Sequence, residues 1–211
     1  MIPSEIIDFI ETVEIRGDIG LYINSLRREG EELIFEVCVD TESPSIANRS
    51  WTITTKNLRK SEINMDWGGS ITLEKSHCLL SEFNQLQSSL YFEGHAANPE
   101  VIFHELYRIH GEKYGEWIRF GCYFNGGWDL IKLLSSRNGL LAQGPKDILE
   151  TYARVLTTHG INTNFVLDRA PTKWNGVSYE PESKNLKVLT VGRSFFVADH
   201  FEFFETFTTD K

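Results

Sequence analysis

Apolar positions near the start of the chain recur every three or four residues: Ile6, Ile7, Ile10 and Val13 share one helical face, while Glu5, Asp8, Glu11 and Glu14 take the other positions. That spacing predicts a short amphipathic helix with an acidic outer face. The period then changes to two. Leu33, Phe35, Val37 and Val39 alternate strictly after the turn cluster Arg27-Arg28-Glu29-Gly30, which predicts a hairpin over residues 21–40. Trp51 and Ile53 against Thr52 and Thr54 mark another strand, Leu58 to Met65 a weaker one, and Ile71 with Leu73 a fifth after Gly68-Gly69. Residues 1–94 thus read as an antiparallel meander closed by Leu90 and Phe92, and residues 95–211 as mixed helix and strand.

Two helices are marked most clearly. Asn98 can cap a helix that starts at Pro99, where the missing proline N–H costs nothing, with Ile102, Phe103, Leu106 and Ile109 as its stripe and His110-Gly111 as its close. Gly144-Pro145-Lys146 opens the second in the same way, with Ile148, Tyr152, Val155 and Leu156 on one face and His159-Gly160 at the end. In both, a histidine in the last turn suits the negative end of the helix dipole. Between them Trp117 to Phe124 reads as a strand, and Trp128 to Leu134 as a short helix or a buried strand. Asn164 to Leu167, Leu186 to Val191 and Phe195 to Phe204 read as strands, the last two joined through Gly192-Arg193. Arg169 to Asn185 is the longest stretch without periodicity, which makes it the leading functional loop. The expected fold is α+β, a mostly antiparallel sheet or half sandwich with two to three helices packed on one side. No linker divides it, so a single domain over residues 1–211 is expected.

Charge narrows the partners. Lysine and arginine number 21 against 30 aspartates and glutamates, a net charge of −9, which is the wrong sign for a phosphate-backbone binder. It favours attraction to a basic protein surface but equally well just keeps a protein soluble, so a basic protein or a small ligand is the partner expected. No apolar run is long enough for a membrane helix, and MIPSEIIDFIETVE lacks the basic and apolar regions of a secretion signal. Cys38, Cys78 and Cys122 are odd in number and far apart, as reduced thiols in a cytoplasmic protein are.

Several chemistries are missing from the sequence. It contains no GxxxxGK[ST], no GxGxxG and no GxSxG. His104-Glu105 begins like a zinc-protease helix, but Arg108 stands where the second histidine is required, so no metal is expected. No cofactor is implied either.

The remaining candidates are weighed against ordinary structural roles. Glu100, His104 and Arg108 share a helix face, where weak ion pairs explain them. Asp199 has the strand parity of Phe195, Val197, Phe201 and Phe203, so a regular strand would bury it and raise its pKa for acid or base work; a bulge at Ala198-Asp199-His200 would expose it. His95 approaches a helix N-terminus, where a catalytic or ligand role competes with that of a plain connector. Asp66-Trp67-Gly68-Gly69 and Gly126-Gly127-Trp128-Asp129 are near mirror images; Trp67, Trp128 and Asp129, with Trp174 and Tyr179, could present aromatic platforms and an acceptor, or Trp can fold back over a tight turn. The leading expectation is a binding or interaction protein that offers acidic and aromatic loops to a protein or small ligand, of which an immunity-type inhibitor of a basic bacterial toxin is one form. The alternative is a metal-independent hydrolase or isomerase with an Asp/His site in a cleft.

Overall fold

The computed structural model describes residues 1–14, 20–30, 32–41, 46–64, 66–125 and 129–206. These form a mixed α+β protein whose strands all pair antiparallel, in two compact units. The first unit takes Met1–His77 with Asn185–Lys211, and the second takes Cys78–Lys184. The acidity is unevenly shared. Of the 30 acidic and 21 basic side chains, 18 and 11 fall in the first unit, leaving 12 and 10 in the second.

In the first unit helix α1 (Ser4–Glu14) forms with Ile6, Ile10 and Val13 of the predicted stripe buried, while Phe9 joins the core in place of half-buried Ile7 and Glu5, Asp8 and Glu11 are exposed. Strands β1 (Gly20–Glu29), β2 (Glu32–Asp40) and β3 (Arg49–Lys56) follow, then β4 (Lys60–Glu62) and β5 (Ile71–Glu74). β1, β2 and β3 pair in sequence order as the predicted antiparallel meander, but β4 and β5 do not continue it. Their sheets are completed by the C-terminal strands β11 (Lys187–Val191), β12 (Ser194–Ala198) and β13 (His200–Thr206). One sheet has the order β1-β2-β3-β13 and the other β4-β12-β11-β5. Pairing across well over a hundred residues of intervening chain leaves no local trace in a hydrophobic pattern.

The core between these sheets is aromatic and tightly apposed. Phe35 of β2 stacks on Phe196 of β12, centroids 4.1 Å apart at 12°, and each of these buried side chains contributes about 1.5–3 kcal/mol by leaving water. Gly192, at φ 56°, makes the two-residue turn between β11 and β12, as the Gly192-Arg193 pair predicts.

In the second unit a 3-10 turn (Cys78–Leu80) and a single-turn helix α2 (Ser81–Asn84) precede β6 (Gln87–Glu93). Helix α3 (Pro99–Tyr114), helix α4 (Leu130–Leu134), β7 (Asn138–Pro145), helix α5 (Lys146–Thr158) and β8 (Asn162–Arg169) follow, then the hairpin of β9 (Thr172–Trp174) and β10 (Tyr179–Pro181). The sheet order is β7-β6-β8, with α5 packed against all three strands. The described residues hold five helices rather than two or three, α2 and α4 being too short for periodicity to carry.

Three expectations fail here for identifiable reasons. Leu90 and Phe92 do not close the first unit's sheets; they lie on β6, the central strand of the second unit. Residues 117–124 are turns, of which Phe124 alone makes a β-bridge, to Ala142, although Ile118, Tyr123 and Phe124 are buried as strand residues would be. Arg169 to Asn185 is not irregular: its two three-residue strands are too short to show alternation.

Candidate functional site

Thr172 to Pro181 forms a preorganised aromatic hairpin. Trp174 and Tyr179 lie directly opposite each other in the register, and their rings meet edge to face at 5.1 Å and 60°. They remain 55% and 74% exposed, and Val177 at the tip is 85% exposed. The turn between them is set by Asn175, whose Oδ1 accepts from the backbone N–H of Val177 at 2.9 Å and of Ser178 at 2.8 Å. Gly176 supplies the left-handed residue at φ 97°. Successive strand residues alternate in face, so Lys173 and Glu180, also paired in register, lie behind the rings. Lys173 Nζ stands 3.1 Å from Glu180 Oε1, and with Asn175 holds that carboxyl below the usual carboxylate range. One face is ionic and the other apolar and open.

Trp67 is differently placed, in the first unit. Its ring lies over Gly20, where an added Cβ would sit 1.8 Å from the indole, and packs on Tyr22 at 4.8 Å. Gly68 next to it pairs with Leu21 through two backbone hydrogen bonds and faces Gly192 so closely that a Cβ would stand 2.4 Å from the Gly192 Cα. This turn is built around glycine contacts, and the Trp folds back over it while staying 64% exposed. Tyr22 donates to Asp40 Oδ2 at 2.8 Å; burial, and then that carboxylate, push its phenol up. Of the mirror-image segment, Gly126, Gly127 and Trp128 lie outside the described residues. Asp129 is a helix cap: its carboxylate accepts from the Ile131 N–H at 3.0 Å at the start of α4.

The acid/base candidates are not brought together. Asp199 is a bend between β12 and β13, half-buried, and its carboxylate accepts from Asn57 Nδ2 at 3.0 Å, so the strand parity that would have buried it is broken there. His200 beside it is exposed and leans to Glu202, 3.6 Å away. His95 belongs to the other unit, where it is exposed on a groove of about 660 Å³ with Glu93 and Arg137.

The largest departure concerns His110. Helix α3 runs past Gly111 to Tyr114 and is closed by Gly115 at φ 55°, so His110 is no cap. It is 2% exposed, on a stripe of Ile102, Leu106, His110 and Tyr114 at strict fourfold spacing. Its Nε2 lies 2.7 Å from the Ile118 carbonyl, which can only accept, so Nε2 carries the proton and Nδ1 accepts from the Tyr152 hydroxyl at 2.6 Å. Tyr114 and Tyr123 pack around it, and burial lowers the imidazole's pKa. His159, by contrast, does close α5, as its position predicts, with Nε2 3.2 Å from Glu105 Oε1. The i,i+4 series to Tyr114 is the signal that could have revealed His110; a glycine at 111 hid it, because Gly usually marks a helix end.

No family model, curated protein or solved structure compared with the chain gives a match. No helix among the described residues is long and apolar enough to cross a membrane, and no group of three His, Cys, Asp or Glu among them could hold a metal ion.

Proposed function

We propose that the protein is a binding module that engages a basic protein partner, with Trp174 and Tyr179 as its anchor. The observation that carries this reading is the hairpin: two large rings held edge to face by a fixed turn and largely exposed. Exposed aromatics that are already ordered lose little entropy on binding, and such residues dominate the energetics of interfaces. The net charge of −9, most of it in the first unit, supports a partner of opposite sign, attracted over distance. An immunity-type inhibitor of a basic toxin is the specific form that this combination favours.

The test is a quantitative pull-down of tagged full-length chain from its own cells, beside Trp174→Ala/Tyr179→Ala. A basic protein that falls at least about tenfold in the double variant, equivalent to roughly 1.4 kcal/mol, is the expected outcome. If every retained protein is recovered equally by both chains, the hairpin is not the anchor and the reading fails. Reversal of Asp8 and Glu11 to lysine should weaken the same partner chiefly at low ionic strength.

A further inference from the structure

We infer that the open face of the second unit's sheet is a saccharide-binding groove. Helix α5 covers one face of β7-β6-β8, against which Leu90 and Phe92 are buried. The other face of β6 carries Tyr91 and Glu93, because side chains alternate along a strand. Register aligns their neighbours. Asn138 of β7 and Asn162 of β8 both pair with Glu93, and Asn164 of β8 pairs with Tyr91. These five side chains line a depression of about 740 Å³, within the range of small-molecule sites.

Its shape has a cause in the pairing. The register slips on both sides of β6, between Leu90 and Tyr91 against β7 and between Gln87 and Ser89 against β8. Bulges of this kind bend a strand and deepen its twist, which curls a three-stranded sheet into a trough.

The lining specifies the ligand's chemistry. Asn138, Asn162 and Asn164 each offer an amide that donates and accepts, and Glu93 offers two acceptor oxygens. None of these four side chains makes a hydrogen bond to a described residue, so their capacity is unspent. Alternating donors and acceptors match the hydroxyls of a sugar ring, each of which both donates and accepts. The Tyr91 ring, 40% exposed, supplies the apolar surface on which the C–H face of a pyranose packs. Among the described residues no lysine or arginine lines this part of the trough, which disfavours a phosphorylated ligand. A guanidinium enters at the adjoining depression, where Glu93 and Asn138 are shared and Arg137 is added beside His95. The site therefore takes a neutral sugar ring, and it is independent of the hairpin.

Titration of the full-length 15N-labelled chain with neutral disaccharides, and in parallel with the matching hexuronate disaccharides, tests the assignment. Perturbed amide resonances confined to residues 91–93, 138–139 and 162–166, with at least about tenfold weaker binding in Asn164→Ala and in Tyr91→Ala, are expected for a neutral sugar. Both positions are exposed, and an unchanged spectrum elsewhere shows that the variants fold. Binding of the uronates alone would overturn the neutral-ring assignment. Absence of localised shifts with either panel at tens of millimolar sugar, a range in which even millimolar affinity is visible, would overturn the site itself.

Discussion

The second unit holds two aromatic groupings that use similar side chains to opposite ends. Around His110, the rings of Tyr114, Tyr123 and Tyr152 are all buried, and both imidazole nitrogens are engaged by the fold. In the hairpin, the backbone and Asn175 make the turn, Lys173 and Glu180 brace the back, and Trp174 and Tyr179 pack on each other and stay largely exposed. A polar aromatic cluster in a core is committed to specifying that core, because any group left unpaired there is penalised. An ordered aromatic pair in water is uncommitted, and that is why the hairpin rather than the histidine cluster carries the functional reading.

The difference should be widest in stability. His110→Ala strands the Tyr152 hydroxyl and the Ile118 carbonyl in the core and leaves a cavity, with an expected loss of about 2–4 kcal/mol. A urea midpoint within error of the native chain would show that the cluster is not the structural element described above. The Tyr114 hydroxyl, buried with no hydrogen-bond partner in the described residues, marks where the same cluster is already incompletely satisfied.

A close glycine contact in the first unit supplies a second, smaller effect. Gly68→Ala puts a Cβ 2.4 Å from the Gly192 Cα, and backbone cannot swing aside as a side chain can, so a loss of about 1–3 kcal/mol is expected. Gly69→Ala, which meets nothing within 4 Å, should stay within about 0.5 kcal/mol. Equal melting temperatures for the two variants would remove the argument that Trp67 sits on a turn built for close approach.

The cluster also sets a pH dependence. His110 is held neutral by burial, its folded pKa lying below the ordinary value of 6.5, so near and below that pH the unfolded chain binds more protons than the folded one. Stability should therefore fall as pH drops through about 6.5, and level off once the folded histidine also protonates. His77, lowered mainly by burial with Glu74 opposing, acts in the same sense. His110→Gln should reduce the slope between pH 7.5 and 5.5 without abolishing it. Asp168, Glu180 and Glu202, all shifted down by lysine partners, contribute only at more acidic pH. A slope unchanged in His110→Gln would place the titration elsewhere.

Much of this contrast was legible at short range and little of it at long range. The α1 stripe, the Asn98 cap with Pro99, the close of α5 at His159-Gly160 and the Gly192-Arg193 turn are local patterns, and each forms where the residues indicate. What failed depended on distant partners. β13 finds β3, and β12 finds β4, across stretches that no periodicity spans, and the break at Asp199 belongs to that change of sheet: β12 pairs in one sheet and β13 in the other. Trp174 and Tyr179 were recognisable as residues to watch, but their cross-strand pairing depends on the Asn175-Gly176 turn, five residues inside a segment with no repeat. The sheet-face groove was invisible because Tyr91, Glu93, Asn138, Asn162 and Asn164 come from three strands and are assembled only by register.

The smallest expected stability change belongs to the hairpin itself. Trp174→Ala and Tyr179→Ala each remove a largely exposed ring that packs on the other, so the double variant should lose no more than about 1 kcal/mol, much of it the edge-to-face contact itself. Lys173→Ala is the useful control, since it removes the brace behind the rings while leaving both in place. A surface ion pair of this kind contributes little to stability. Its loss should therefore weaken partner binding only by loosening the platform, less than loss of the rings does. If the double variant instead unfolds as readily as His110→Ala, the rings are structural after all. The hairpin would then belong with the buried cluster, and the search for an interface would move to the acidic surface of the first unit.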